Sequence, residues 1–380
     1  MKKRTICVTT GTRAEFGILN SVLKEIQKSK NLDLKLIVTG THLSNHHGQS
    51  IKEIQDQGFK EYHKIKINQK TDTNYQMSID LGKSIIEFSK TFKSLNPDIN
   101  LVLGDRDEML ASTIAAYHMN IPVAHIHGGD RSQGGIDEYN RHAITKMSNI
   151  HFPATKKSYN RILKMGENPN YVFLTGSPSI DQISNSVSSK NYIEKELGIK
   201  ITGNEIILLQ HSVTTETQLS QKQINETLQA LLKHENPVIL IAPNSDAGYK
   251  NIYQTLEKFS EKYDNFYFYQ NLKRSIFLGL LKYCGILIGN SSSGMIEASF
   301  FGIPVINIGI RQNKREYGKH VINVKQFDRE LIYKALLKAK RMKHSPNYSV
   351  YGNGNASKKI IKILETIKID DNLIKKQIFY

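Results

Sequence analysis

The stretch Thr5-Ile6-Cys7-Val8-Thr9-Thr10-Gly11-Thr12-Arg13-Ala14-Glu15-Phe16-Gly17 decides how the chain is read. Thr5–Thr10 is β-branched and apolar and reads as a strand. Gly11 and Thr12 interrupt it, and Ile18–Ser29 follows with apolar residues at helical spacing. A strand that passes through a glycine turn into a helix opens an α/β sheet. The turn lacks G-x-G-x-x-G, which does not favour a dinucleotide. Its backbone N–H groups can still face a phosphate, and the planar Arg13 fork suits a diphosphate. A plain turn with an exposed arginine is the other reading of these residues.

The same alternation runs outward along the chain. Leu34–Val38, Ile99–Leu103 and Val123–Ile126 read as further strands with helical patterns between them. A second series begins with Ile206–Leu209 and continues through Val238–Ile241, Ile286–Ile288 and Val305–Ile308. Gln218–Lys233, Lys273–Leu281 and Met295–Phe301 are the helices expected between them. Such alternation predicts parallel sheets with crossover helices. The turn-rich link Gly176-Ser177-Pro178-Ser179 divides the series, giving expected domains at 1–176 and 177–380. The last helical stretch, Ala356–Lys368, fits spatially with either domain. Ligands of open α/β sheets bind beyond the C-terminal ends of the strands, so the informative residues should follow strands.

Bulk properties narrow the class. A chain of 380 residues is long enough for two domains of about 100–200 residues each. With 39% hydrophobic and 23% charged residues it has a globular composition. The net charge of +17 is spread along the chain, without a basic tail or interleaved aromatics, and reads as lysine-rich solvated faces, not a nucleic-acid surface. Cys7 and Cys284, each in an apolar strand-like run, are expected as buried free thiols. Met1-Lys2-Lys3-Arg4 resembles the start of a signal peptide, but the apolar run after it is too short. No apolar run approaches the ~20 residues of a membrane span. A cytoplasmic protein without a membrane partner is expected.

Four more blocks carry chemistry. Gly104-Asp105-Arg106-Asp107-Glu108 closes the Ile99–Leu103 strand, with Asp105 either a cleft acid or a helix cap. His125-Ile126-His127-Gly128-Gly129-Asp130-Arg131 closes the next and leads to Asp137-Glu138-Tyr139-Asn140-Arg141. Asp137 and Arg141 are spaced to pair on one helix face. Zinc on His125, His127 and Asp130 is set aside, because strand alternation aims the two histidines at opposite faces. Gln210-His211-Ser212-Val213-Thr214-Thr215 begins the second series, with His211 able to bond a phosphate or protonate a leaving group and Thr214 or Thr215 able to cap a helix. In Gly289-Asn290-Ser291-Ser292-Ser293-Gly294-Met295-Ile296-Glu297, small and hydroxyl residues can cradle a diphosphate, and Glu297, about one turn into the helix, can accept from ribose hydroxyls.

Together these blocks resemble the UDP-N-acetylglucosamine 2-epimerase family, most closely its hydrolysing branch, which feeds sialic-acid-type sugars. The resemblance runs from the first strand to about Ala356. It implies an α/β fold of two facing Rossmann-like domains, the GT-B arrangement, with the active site in the cleft between them. It implies that Asp105 and Asp137 are catalytic acids, that His211 serves the catalytic site and that Arg13 lies on the phosphate side. Ser291, Ser292, Glu297 and the later Arg311 match its nucleotide block. Glu15 stands where Asp is common. Arg106, Arg141 and Asn244 join Glu15 as further expected substrate or nucleotide contacts. Relatives carry Glu at the place of His127 or of Asp130, so the second acid–base group is one of these two residues. The implied reaction releases the diphosphate from C1 and a proton from C2, then adds water with inversion at C2. It needs neither cofactor nor metal, and the resemblance implies a dimer or tetramer. UDP-N-acetylglucosamine or a 4-acetamido-6-deoxy relative is the expected substrate, on UDP or GDP.

Two rivals remain. A non-hydrolysing epimerase would carry a Glu-Ala-Gly-Leu-Arg-like block where this chain has His127-Gly128-Gly129-Asp130-Arg131. A GT-B glycosyltransferase would share the nucleotide half without requiring Asp105 and Asp137.

Overall fold

The computed structural model describes residues 3–43, 51–67, 74–131, 136–181, 183, 187–213, 216–243, 248–270, 272–313, 315–344 and 349–379. The chain divides into two compact units, Met1–Gln182 with Tyr351–Tyr380, and Ile183–Val350. In the first, the strands are β1 (Arg4–Thr10), β2 (Leu32–Val38), β3 (His63–Lys64), β4 (Ile99–Leu103), β5 (Val123–Ile126) and β6 (Ile150–Phe152). In the second, they are β7 (Ile206–Leu209), β8 (Val238–Ile241), β9 (Phe266–Tyr269), β10 (Ile286–Gly289), β11 (Val305–Ile308) and β12 (Val321–Val324). The sheet orders are β3-β2-β1-β4-β5-β6 and β12-β11-β10-β7-β8-β9. All neighbours pair in parallel.

Parallel strands need crossover helices, which cover both faces of the sheet, so the inner strands are buried along their whole length and mostly apolar. Every residue of β4, β5, β7, β8, β10 and β11 is buried. Each sheet reverses its winding once, between β1 and β4 in the first unit and between β7 and β10 in the second. Loops beyond the strands that flank such a reversal form the usual ligand crevice. Cys7 and Cys284 are buried free thiols, and burial raises both above the ordinary thiol range. No helix of the described residues is long and apolar enough to cross a membrane.

The first helix spans Arg13–Lys28, beginning earlier than the apolar spacing from Ile18 suggests. Thr12 caps it, and Glu15 reaches back to the cap backbone, a reciprocal capping box that fixes the start. The block after β10 also departs from expectation. Ser292–Gly294 forms a 3-10 turn, and the helix runs only from Glu297 to Phe301, so Glu297 opens it instead of lying one turn inside.

The chain returns to the first unit at a close crossing. Gly176, at φ +88°, has room for no side chain, since a Cβ there would lie 2.8 Å from the Tyr351 carbonyl. The Ser177 N–H donates to that carbonyl at 2.8 Å. Asp181 then accepts from the Ala356 N–H at 2.9 Å and from the Ser357 N–H, capping the Ala356–Thr366 helix from outside its own sequence. That helix, left between the two halves by the sequence, lies in the first unit.

The C-terminal tail is anchored by a buried ion cluster. Glu167, with 1% of its side chain exposed, takes Lys146 at 2.9 Å, His151 at 3.1 Å and Lys376 at 2.6 Å. Burial pushes the Glu167 carboxyl up, but the hydrogen bonds and charges of His151 and Lys376 overcome it and hold the group at about 2. Breaking such a pair leaves an uncompensated buried charge, so Glu167→Ala should cost about 3–5 kcal/mol in urea unfolding. A loss below about 1 kcal/mol would contradict this role. The folded carboxyl titrates below the ordinary 4.5, so its contribution should be whole above about pH 4.5 and vanish as the pH falls through about 2.

Candidate functional site

In both units the chemically distinctive residues stand beyond the strands that flank the reversal of the sheet, or beside them. In the first unit these are the turns after β1, β4 and β5.

After β4 the backbone turns at Gly104, φ +79°, and Asp105 follows. The Asp107–His118 helix is preceded by Arg106 at its cap position, with no side-chain cap bond, so Asp105 is not the cap. Its carboxylate instead forms an ion pair with Arg141 of the Ile136–Met147 helix, both side chains largely buried. Spacing alone had suggested Asp137 as the partner. Arg141 is buried while Asp137 is exposed in the first turn of the same helix, and the buried guanidinium turns to the more enclosed carboxylate. Asn140 donates to Asp107 at 2.8 Å and pins this helix to the β4 turn. Burial works against the Arg106 charge, but Glu108, Glu15, Asp137 and Asp107 raise it above the ordinary arginine value. Thus Asp105, Arg106, Asp137 and Arg141 gather at one end of the sheet.

Beside β1, Arg13 opens its helix. Glu15, expected to touch substrate, is turned inward: its Oε2 accepts the Gly11 N–H at 2.9 Å and the Thr12 N–H at 3.0 Å. His42, from the 3-10 turn Gly40–Leu43, meets Thr10 Oγ1 at 3.1 Å.

Beyond β5 the two histidines part company. His125 is fully buried, with Nε2 2.7 Å from the Gly104 carbonyl and Nδ1 3.2 Å from Thr145 Oγ1. Burial above all lowers it to about 3, so it is a neutral core residue that donates to Gly104. His127 lies past the strand end with φ +63°, a left-handed conformation rare for a residue with a side chain. Its Nδ1 is 2.8 Å from Asp130 Oδ2 and its Nε2 is 2.9 Å from Ser177 Oγ. Ser158 Oγ donates to Asp130 Oδ1 at 2.6 Å. An ionised carboxylate only accepts, so Nδ1 carries the proton toward Asp130 and Nε2 accepts from Ser177. The order Asp130–His127–Ser177 is that of an acyl-transfer triad. Ser177, however, is 1% exposed and its own N–H is taken by Tyr351, so no carbonyl can reach it there. The arrangement orients His127 through Asp130.

In the second unit, β7 leads into Gln210-His211 and β10, through Gly289, into Asn290. Gly289 adopts φ +136°, and a Cβ there would fall 2.0 Å from the Leu209 carbonyl, so only glycine lets the two strand ends approach. Asn290 uses that approach: its Oδ1 accepts the His211 N–H at 2.7 Å and its Nδ2 donates to the His211 carbonyl at 2.9 Å. Arg311 donates to the Asn290 carbonyl at 3.3 Å. Burial, then the Arg311 charge, lowers His211 to about 4. At neutral pH it is therefore a hydrogen-bonding imidazole and not the cationic acid that could protonate a leaving group. Ser291 is the cap of the 3-10 turn and accepts the Ser293 N–H at 3.3 Å; Ser292 follows, half-buried. Glu297 is largely buried with Arg274 3.3 Å away. Asn244, Thr214 and Thr215 lie outside the described residues.

Sequence reading missed Ser177, Ser158 and His42 as parts of these sites, and for Glu108 and Asn290, which lie in the named blocks, it missed the partners. Ser177 meets a residue 50 positions away, and Asn290 one 79 positions away, so neither has a local signal.

Residues 24–365 match the family model described as UDP-N-acetylglucosamine 2-epimerase. The chain is 36% identical to the UDP-N,N'-diacetylbacillosamine 2-epimerase (hydrolyzing) of Legionella pneumophila, over 378 residues and 98% of each chain. It is 32% identical over 338 residues to the UDP-N-acetylglucosamine 2-epimerase of Neisseria meningitidis, covering 89% of this chain and 87% of the relative. The solved structure of UDP-GlcNAc 2-epimerase from Neisseria meningitidis bound to UDP-GlcNAc is similar at a TM-score of 0.80 and 20% identity, over 95% of this chain and 99% of that one. At that identity the likeness speaks for the fold, which is α/β of the GT-B class.

The lowered His125 and His211 should not titrate in imidazole NMR spectra between about pH 5 and 8. A midpoint near 6.5 for either would contradict the burial account. Once unfolded, both return to about 6.5 and bind protons, so they should make the protein less stable as the pH falls from about 6.5 toward 4.

Proposed function

The chain belongs to the UDP-N-acetylglucosamine 2-epimerase family, and we propose that it is a hydrolysing nucleotide-sugar 2-epimerase that releases a free 2-epimerised acetamido sugar and a nucleoside diphosphate. The observation that carries this reading is the carboxylate set at the end of β4 and the start of the Ile136–Met147 helix, in a chain alike end to end to a hydrolysing enzyme. UDP-N,N'-diacetylbacillosamine is the first substrate to try, because that name belongs to the relative with 36% identity over 98% of the chain. UDP-N-acetylglucosamine is the second.

The chemistry follows from charge. As the C1–O bond to the diphosphate breaks, its electron pair leaves with the diphosphate and positive charge grows at C1. That charge acidifies the C2 proton, which Asp105 or Asp137 takes as the C1=C2 bond forms. Arg141 and Arg106 steady these carboxylates from behind. Water then gives its hydroxyl to C1, while a proton enters C2 on the opposite face. The second transfer falls to His127 or Asp130: Asp130 serves His127 and Ser158, and His127 serves Asp130 and Ser177, so either must release a partner to act. On the nucleotide side, Arg13, neutral His211, Arg311 and the Ser291-Ser292 turn are the donors offered to the leaving diphosphate, and Glu297 accepts from ribose.

Incubation with the two UDP sugars and a GDP counterpart should yield free sugar and nucleoside diphosphate, resolved by anion-exchange chromatography. A product still linked to its nucleotide would contradict the hydrolysing assignment. Asp105→Asn and Asp137→Asn keep the shape but remove the base, and each should lower kcat by roughly 10²–10⁴-fold with little change in UDP affinity. Near-normal turnover in either variant would remove that residue from the mechanism.

A further inference from the structure

The turn between β1 and the Arg13–Lys28 helix holds two carboxyl groups that the chemistry above leaves unused. Glu15 is 8% exposed. Its Oε2 is clamped by the Gly11 and Thr12 N–H groups, while its Oε1 is buried with no hydrogen-bond partner. Glu108, in the first turn of the Asp107–His118 helix, brings a second carboxyl to the same place. A Cβ on Gly11 would lie 3.1 Å from Glu108 Cδ and 3.2 Å from Glu15 Oε2, so both groups stand against one point. At Gly40, φ +57°, a Cβ would lie 2.4 Å from Glu108 Oε1. Glycine at both positions makes the room that the second carboxyl fills.

The charges around this pair do not neutralise it. From the β4 turn, Arg106 places Nε 3.6 Å from Glu108 Oε2 but is itself shared with Asp107 and with Asp137 of the Ile136–Met147 helix. From the Gly40–Leu43 turn comes His42, which burial lowers to about 4 and so keeps neutral. Arg13 belongs to Glu15's own helix. Two carboxylates confined together with one shared guanidinium favour retaining a proton. Burial, then the Glu108 charge, push the Glu15 carboxyl up to about 7, against the Gly11 N–H, Arg106 and the Thr12 N–H.

We propose that Glu15 retains a proton beside the Glu108 carboxylate, the two forming a positioning pair, and that this proton keeps the Gly11–Arg13 turn in the form that receives the diphosphate. The inference rests on the nucleotide-binding role of that turn given above. Losing the proton sets like charges on either side of Gly11 and adds negative charge where an anion must dock. By linkage, an anionic ligand that prefers the protonated pair draws a proton in as it binds.

Calorimetric titration with UDP, in two buffers of different ionisation enthalpy at about pH 7, counts the protons exchanged. The terminal phosphate of UDP also titrates near this pH, so the difference between proteins is the quantity read. Wild type should take up as much as about half a proton more per UDP than Glu108→Gln or Glu15→Gln, because a group near 7 is half-occupied there. Its UDP affinity should also fall more steeply between about pH 6 and 8 than that of either variant. Equal proton counts in all three proteins would overturn the pair. Failure of UDP to bind any of them would remove the nucleotide reading instead. The pair is then judged alone by carbon-13 NMR of the glutamate carboxyls: a Glu15 midpoint that drops in Glu108→Gln supports it, and one that stays put overturns it.

Discussion

Each sheet changes the direction of its winding once, and that single constraint decides where chemistry can sit. Between β1 and β4, and between β7 and β10, the strands lie side by side while their crossovers depart in opposite directions. The backbone leaving those strand ends needs tight turns and a way to satisfy its polar groups. The glycines at 11, 104 and 289 and the side chains of Glu15 and Asn290 meet those needs. Asp105 after β4, His211 after β7 and Ser291 after β10 each stand two positions past the last strand residue.

Electrostatics refine what the topology offers. Buried charge is tolerated only when paired, and the first unit contains three solutions to that demand. Glu167 is surrounded by two lysines and a histidine and stays ionised. Asp105 is joined to Arg141, which holds a potential base at the mouth of the sheet without letting it capture the neighbouring helix end. Glu15 and Glu108 have too little positive charge between them, and a proton makes up the deficit. The histidines divide in the same way. His125 and His211 are kept neutral by burial, while His127, at the rim and with a strained backbone, is left with a carboxylate to orient it.

The fold was legible where one short run decided it. β4, β5 and the inner strands of the second unit are short runs dominated by apolar residues because both their faces are covered. Edge strands such as β3, only His63–Lys64, have no such pressure and no pattern. The start of the first helix was also written in the sequence, in Thr12 and Glu15, yet the apolar period from Ile18 drew attention away from the cap. For the site, motif blocks were visible because each is one turn of chain. The pairings were not. Local spacing joined Asp137 to Arg141, whereas burial joined Asp105 to Arg141, and no local rule links His127 to Ser177 or His211 to Asn290. Composition had no part in either result: the charge of +17 is spread along the chain and names no partner.

The central claim is that the carboxylates beyond β4 and β5 move a proton at C2 while the diphosphate departs. Proton NMR of the complete reaction in heavy water reads that step directly. The account predicts a free sugar with inverted C2 whose C2 hydrogen has been replaced by deuterium from solvent, together with free nucleoside diphosphate. A released sugar that keeps its original C2 hydrogen and configuration would mean simple hydrolysis at C1, and would contradict it.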